Sequence, residues 1–342
     1  MSEQLFWHDG QVIRPFCRTA RVQCRGYSQP LQRRMTDFGA DLAFGQVPAK
    51  LKEHYGIAVP GSAVRTITEA RAHAISVQAP APPPRPAHDV AWIIAETDGS
   101  MIPIVDTVSP EASMPGQDRR KTRQVRWQEA RVSLAHAQGS VTPRFAATFG
   151  APVEVGEQLR DCALRVGFGP TSRVHSVGDG APWIVNQVQR VFGPQATYLV
   201  DFYHVSEYLA AAASHCAPDT PAPWLTEQQT QLKQGNVESV HAGLVPHLEA
   251  TEVGEALAPV RCCHRYIANR PGQFEYQRAL AADLPIGSGE IESAHRYVLQ
   301  QRLKLAGAWW KEETAADMLA LRTLRANGEW HQYWAPLEQL AA

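Results

Sequence analysis

The chain has 342 residues, long for one ordinary globular core, so its length points to two domains. With 44% hydrophobic and 20% charged residues the composition is that of a folded chain, which argues against a disordered tail, a collagen-like repeat or a coiled coil. The formal net charge of -1 hides a segregation: Asp201 to Val260 holds eight acidic residues against Lys233 alone, whereas residues 1–78 hold ten Lys/Arg against six Asp/Glu. A second basic concentration comprises Arg119, Arg120, Lys121, Arg123, Arg126 and Arg131. Such segregation permits a polyanionic partner without requiring one. No apolar run approaches the roughly 18 residues of a membrane span, and MSEQLFWHDG lacks a basic-then-apolar signal pattern, so a cytoplasmic location is expected. The six cysteines, Cys17 and Cys24 among them, are too thinly spread for a disulfide framework.

In chain order, Leu31, Met35 and Phe38, then Val47, Leu51 and Tyr55, recur at helical spacing before Gly56. Pro60-Gly61-Ser62 marks a turn and helix start, and Val64, Ile67 and Ala70 continue that spacing with Arg65 and Arg71 off the apolar face. Residues 44–74 therefore fit a helix-turn-helix whose second helix suits a major groove, although short helical pairs are also common in proteins that never touch DNA. The proline-rich stretch APAPPPRPA, residues 79–87, cannot supply the N–H groups of a helix or inner strand and reads as a semi-rigid linker over 79–88 with few contacts across it. Beyond it come strands at Val90 to Ala95, at Met101 to Val105 after an Asp98-Gly99 hairpin signal, and at Val125 to Ala135. A helix over Glu157 to Val166, a strand at Val174 to Val177, a helix over Trp183 to Val191 and a strand at Thr197 to Phe202 follow. Residues 203–283 read as helical and acidic, and 290–325 as a further helical run.

Three acids stand where a strand or helix ends: Asp98 in ETDGS, Asp179 in VGDGAPW and Glu292 in GSGEIES. A parallel sheet gathers the ends of its inner strands, so Asp98 and Asp179 are expected side by side, with a helix supplying Glu292. Clustered carboxylates repel one another unless a divalent cation neutralises them, and their hard oxygens suit two Mg²⁺ or Mn²⁺ ions. Asp-Gly pairs are also ordinary turn residues.

The segments HSVGDGAPWIVNQV, TYLVDFYHVSEYL and PIGSGEIESAHRYVLQQRLKLAGAWW resemble DDE transposases of bacterial insertion sequences, in particular the Kra group, distantly related to Mutator-like elements. GYSQPLQRRMTDFGADLAFGQVPAKLKEHYGIAV is similar to that family's helical N-terminal region and LRTLRANGEWHQYW to its C-terminal end. The resemblance implies an α/β, RNase H-like mixed sheet with helices over 89–204 and 286–342, an all-helical insertion over 205–285, and a helical DNA-binding domain over 1–78. It also implies that Asp98, Asp179 and Glu292 form the catalytic and metal-binding triad. Asp201-Phe202-Tyr203-His204 is similar to an Asp/Cys-x-x-His motif of related superfamilies, which makes Asp201 and His204 a supporting pair, with Asp201 as the competing second acid. Glu290 competes with Glu292 for the third place.

Arg296, Arg302 and Lys304 follow Glu292 and are candidate phosphate contacts, with Arg65 and Arg71 as the DNA contacts of the N-terminal helices. Trp309 and Trp310 suit packing better than base stacking. No Walker-type loop, dinucleotide fingerprint or Gly-x-Ser-x-Gly elbow occurs. The expected function is a transposase that binds an element's terminal repeats and target DNA, acts as a homo-oligomer on DNA associated with the nucleoid, and cuts and joins strands. The alternative is a catalytically silent or truncated derivative acting as a DNA-binding protein or repressor.

Overall fold

The computed structural model describes residues 6–13, 26–78, 88–107, 118 and 122–339. The linker over 79–87 and the positions Cys17, Cys24, Arg119, Arg120 and Lys121 lie outside the described residues. A small antiparallel pair, β1 (Phe6–His8) and β2 (Gln11–Ile13), precedes three helices, α1 (Gln29–Asp41), α2 (Val47–Tyr55) and α3 (Gly61–Ser76). Met35, Leu51, Val64 and Ile67 form their shared core, because apolar residues three and four apart align on one face of each helix. Gly56, at φ +67°, ends α2 in the left-handed conformation that opens the turn to α3.

The sheet comprises β3 (Trp92–Asp106), β4 (Gln124–Ala137), β5 (Arg144–Thr148), β6 (Arg173–Gly178) and β7 (Ala196–Val200) in the order β5-β4-β3-β6-β7. β5, β4 and β3 are antiparallel, and β3, β6 and β7 are parallel. This mixed order is that of an RNase H-like α/β fold. Helices α4 (Pro152–Arg165) and α5 (Pro182–Phe192) cover one face, packing Leu159, Cys162, Ile184 and Val188 on Ile93, Ala95 and Val174.

One expected element is corrected. Asp98-Gly99 is not a hairpin turn: β3 runs unbroken through it, with Asp98 opposite Val132 and Gly99 opposite Arg131. The period-two alternation that puts Glu96, Asp98, Ser100, Ile102 and Ile104 on one face continues across the pair, which a chain reversal would have interrupted. The third strand of the antiparallel part is instead β5, a five-residue edge strand with two alanines and hence a weak strand signal.

After β7 the insertion folds as α6 (Phe202–Cys216), α7 (Pro221–Lys233), α8 (Val237–Leu244), α9 (Pro259–Ala268) and α10 (Tyr276–Ala281). Its core is continuous with Ile94, Val177 and Leu199 of the sheet. The chain returns through α11 (Gly289–Ala294), which continues into a π-helical stretch, His295–Gln300, and a final turn, Gln301–Leu303. Helices α12 (Glu312–Ala326) and α13 (Trp330–Gln339) follow.

The expectation of few contacts between the N-terminal helices and the sheet is also corrected. Ala40 of α1 and Ala72 and Ile75 of α3 share one core with Ile102, Ile104, Val298, Leu303 and Met318. Arg302 donates from Nε to Gly39 O at 3.0 Å, and Arg322 donates to Val298 O at 2.6 Å, Ala40 O at 2.6 Å and Asp41 Oδ1 at 2.8 Å. Both guanidinium groups cap carbonyls at the C-terminal end of α1, where the helix dipole favours a cation. A chain beginning at His88 is therefore expected to lose cooperative unfolding and to aggregate, because it bares Ile102, Ile104 and Met318; a urea melt of that fragment as sharp as that of the full chain would contradict the shared core.

Candidate active-site groove

Parallel pairing of β3 with β6 ends at Glu96 opposite Val177, and that of β6 with β7 at Gly178 opposite Val200. Asp98 and Asp179 lie just past these points: Asp98 stays within β3, opposite Val132 of β4 but beyond its last β6 partner, and Asp179 follows the end of β6. Asp98 and Glu292 line one groove of about 490 Å³ with Ser100, Ser293, His295, Arg296 and Gln300. Glu292, Arg296 and Gln300 recur four apart and so present one stripe of the returning helix to this groove. Asp179 is half-buried; its Oδ1 accepts from Ala181 N–H at 2.8 Å and its charge reaches Asp98.

Burial pushes the Asp98 carboxyl up to about 6, with Asp179 and Glu129 adding to the rise, while the Gly99 N–H, donated at 2.7 Å, and His204 oppose it. Such mutual repulsion suits a cation, as does the oxygen donor set. Among the described residues, however, no three His, Cys, Asp or Glu side chains converge closely enough to enclose a metal as they stand.

Asp201 and His204 occupy different places. Asp201 is buried and caps α6: Oδ1 accepts from Tyr203 N–H at 2.6 Å and His204 N–H at 3.1 Å. Oδ2 accepts from Ser288 N–H at 2.6 Å and Ser288 Oγ–H at 2.5 Å, so both oxygens are engaged by the chain itself. The His204 ring is exposed, 6.3 Å from those of Tyr208 and Tyr266. Glu290 is turned toward β4, its Oε2 2.9 Å from His136 Nε2, whereas Glu292 faces the groove.

The basic candidates divide. Arg296 lines the groove and Lys304 donates to Ser100 Oγ at 2.7 Å on its rim. Arg65 is exposed and pairs with Glu69 at 2.9 Å. Arg302 is corrected: only 2% exposed, it lies between Phe44 and Trp310 while holding Gly39, so no DNA phosphate reaches it. Arg71 is also turned inward, donating to Gln29 Oε1 at 2.8 Å and Gln32 Oε1 at 2.7 Å beneath the Trp334 ring. Trp310 is buried and donates to Leu303 O at 3.2 Å, whereas Trp309 is 51% exposed beneath the Arg123 guanidinium.

Four groups escaped the sequence reading. Glu96, two residues before Asp98 and on the same strand face, is 1% exposed and accepts from Ile291 N–H at 2.9 Å. His295 is buried on the groove, and its position three after Glu292 was the available signal. Tyr266 donates its hydroxyl to Asp179 O at 2.7 Å and Arg270 donates Nε to Gly180 O at 3.1 Å, so the insertion fixes the turn that carries Asp179. Gly180, at φ +77°, provides that turn. Gly287 lets the Tyr203 ring approach to where a Cβ would lie 2.7 Å away.

The molecule is thus an RNase H-like chain with a carboxylate-lined groove at the ends of its parallel strands. Residues 167–334, just under half of the chain, match the sequence model of an uncharacterised protein family, UPF0236. That span includes Asp179, Asp201 and Glu292 but not Asp98. No curated protein matches the chain. Among the described residues no helix is long and apolar enough to cross a membrane.

Burial is the main reason that the Glu96 carboxyl rises from 4.5 to about 8; Glu290, Asp201 and Glu292 add to it and the Ile291 N–H opposes it. Glu96 and Asp98 thus hold protons more tightly folded than unfolded, and their contribution to stability is full below about pH 4. It is lost as pH rises through about 6 for Asp98 and about 8 for Glu96. The melting temperature of the metal-free protein is expected to fall between about pH 5 and pH 8, and Glu96→Gln to flatten that fall. An unchanged slope in the variant would show that Glu96 is not responsible.

Proposed function

We propose that this protein is a DDE-type transposase that binds the ends of an insertion sequence and cleaves and transfers DNA strands with Mg²⁺ or Mn²⁺. The observation that carries this reading is the meeting of Asp98 and Glu292 in one groove, with Asp179 close enough to raise the pKa of Asp98. Asp98, Asp179 and Glu292 are the residues that would hold the ions. Two bound divalent cations would activate the attacking oxygen and stabilise the leaving oxygen of a phosphodiester. Arg296 and Lys304 place positive charge along the groove, where they neutralise and orient the flanking phosphates. Asp201 positions the loop before α11 through Ser288, and thereby Glu292.

Asp98→Asn, Asp179→Asn and Glu292→Gln are each expected to reduce cleavage of a labelled element end to background, while gel-shift affinity for that end stays within about threefold, since each removes a carboxylate and not a phosphate contact. Cleavage that persists in EDTA would rule out the metal-dependent reading. End binding without any cleavage by the unaltered protein, at any Mn²⁺ or Mg²⁺ concentration, would favour the DNA-binding repressor instead.

On α3 the outward residues include Ser62, Arg65, Thr66 and Ala70. Arg65→Ala is expected to weaken end binding and to lower the slope of log affinity against log salt by about one, the loss of one phosphate contact. Arg71→Ala should act mainly on stability, by freeing Gln29 and Gln32, and a thermal melt separates the two effects.

A further inference from the structure

We infer that a cavity beside Trp309, apart from the carboxylate groove, receives a single unpaired nucleobase, with the flanking phosphates held by the exposed cations around it. This rests on the DNA-processing reading of the groove and adds to it a preference for a single strand over a duplex. Trp310 is buried, as packing requires, but its neighbour Trp309 is 51% exposed. Trp309 lines a cavity of about 260 Å³ together with Phe44, Arg65, Glu69, Lys311 and Thr314. That is below the roughly 300 Å³ at which pockets for drug-sized ligands begin, so the cavity suits one flat ring system. Arg65, Arg302 and Lys311 line it against one carboxylate, Glu69, a balance that favours an anionic ligand.

The cavity is part of a longer surface. Val105 N–H donates to Trp310 O at 2.7 Å and Ile104 pairs with Trp310 in parallel, so the segment carrying Trp309 runs along the edge of β3 away from β4. The exposed Arg123, just before β4, places its guanidinium 5.3 Å from the centroid of the Trp309 ring. Two and four residues further on, Val125 and Trp127 share its face of the strand by alternation, and both are exposed. Lys304, which donates to Ser100 Oγ at the groove rim, precedes Trp309 by five residues. A strand leaving the groove past Lys304 therefore meets Trp309 and then Arg123 and Trp127. Cations interleaved with exposed aromatic rings are how proteins hold single-stranded nucleic acid. In a duplex the bases stay paired and stacked, and none enters the cavity without the cost of unpairing.

The test uses the full-length chain with two probes, a thymidine oligonucleotide carrying one 5-iodouracil and a duplex of the same length. On irradiation the iodouracil strand is expected to cross-link to Trp309, located by peptide mass spectrometry. Trp309→Ala should weaken single-strand binding on the order of tenfold, the loss of one base–aromatic stack, and change duplex binding by less than about twofold. Trp309→Phe should restore most of the loss. Circular dichroism shows whether the alanine variant is folded; if it is not, the cross-link in the unaltered chain decides by itself. Cross-links only at other residues, equal loss of single-strand and duplex affinity in Trp309→Ala, or unchanged single-strand affinity would each overturn the assignment. So would conversion of a dimer to a monomer by Trp309→Ala with single-strand binding intact, which would make this face a contact between copies of the chain. Metal-dependent cleavage of an element end without any Trp309 effect would remove the base cavity and leave the transposase reading standing. A Trp309-dependent preference for single strands without cleavage would do the reverse.

Discussion

The start of helix α11 is held by two buried carboxylates, and the arrangement of the groove follows from them. The first N–H groups of a helix have no partner within it. Here Asp201 accepts from Ser288 just before the helix, and Glu96 accepts from Ile291 in its first turn. Because Glu96 stands two residues before Asp98 on β3, the bond that satisfies the helix also sets the separation of Asp98 and Glu292. Burial, with Glu290, Asp201 and Glu292 adding to it against the Ile291 N–H, is why the Glu96 carboxyl retains a proton so far above the usual range.

The same helix joins the two halves of the chain. Its upstream part carries Glu292 and His295, and its downstream end carries Arg302 to the last carbonyls of α1. Arg322 of α12 reaches the same helix end and also bridges to Tyr297 and Val298. Removing either guanidinium leaves buried carbonyls unpaired, a cost of about 1–3 kcal/mol per group. The N-terminal helices are consequently a wall of the core that the sheet and the returning helix share, and α3 turns Ala72 and Ile75 inward.

Much of the fold was legible in the sequence, and the failures have physical causes. The buried runs Ile93–Ala95 and Val174–Val177, and the helices after them, were plain from periodicity. The Asp98-Gly99 pair misled because turn chemistry was weighed above the alternation running through it. The linker misled because prolines describe only the residues that contain them, not whether the elements on either side pack together. For the site, the three acids are marked by the sequence around them and by resemblance; the structure brings Asp98 and Glu292 to one groove, while Asp179 does not line it and acts on Asp98 through its charge. Glu96, Tyr266 and Arg270 left little trace, since each acts on backbone atoms distant in sequence. Arg302 looked like a surface cation because its short local pattern, QQRLK, says nothing of the α1 carbonyls that take it inward.

The π-helical stretch keeps two faces of one helix in phase. Upstream, Glu292 must point at the groove; downstream, Arg302 and Leu303 must point at α1 and its shared core. A π turn closes hydrogen bonds one residue further along than an α turn, so it accommodates one residue more than a regular helix between the same two anchors. In terms of sequence variation, this stretch can shed a single residue and relax to ordinary α-helix with both faces still aligned. A residue deleted anywhere else between Gly289 and Leu303 would instead rotate one anchor about 100° away from its partner.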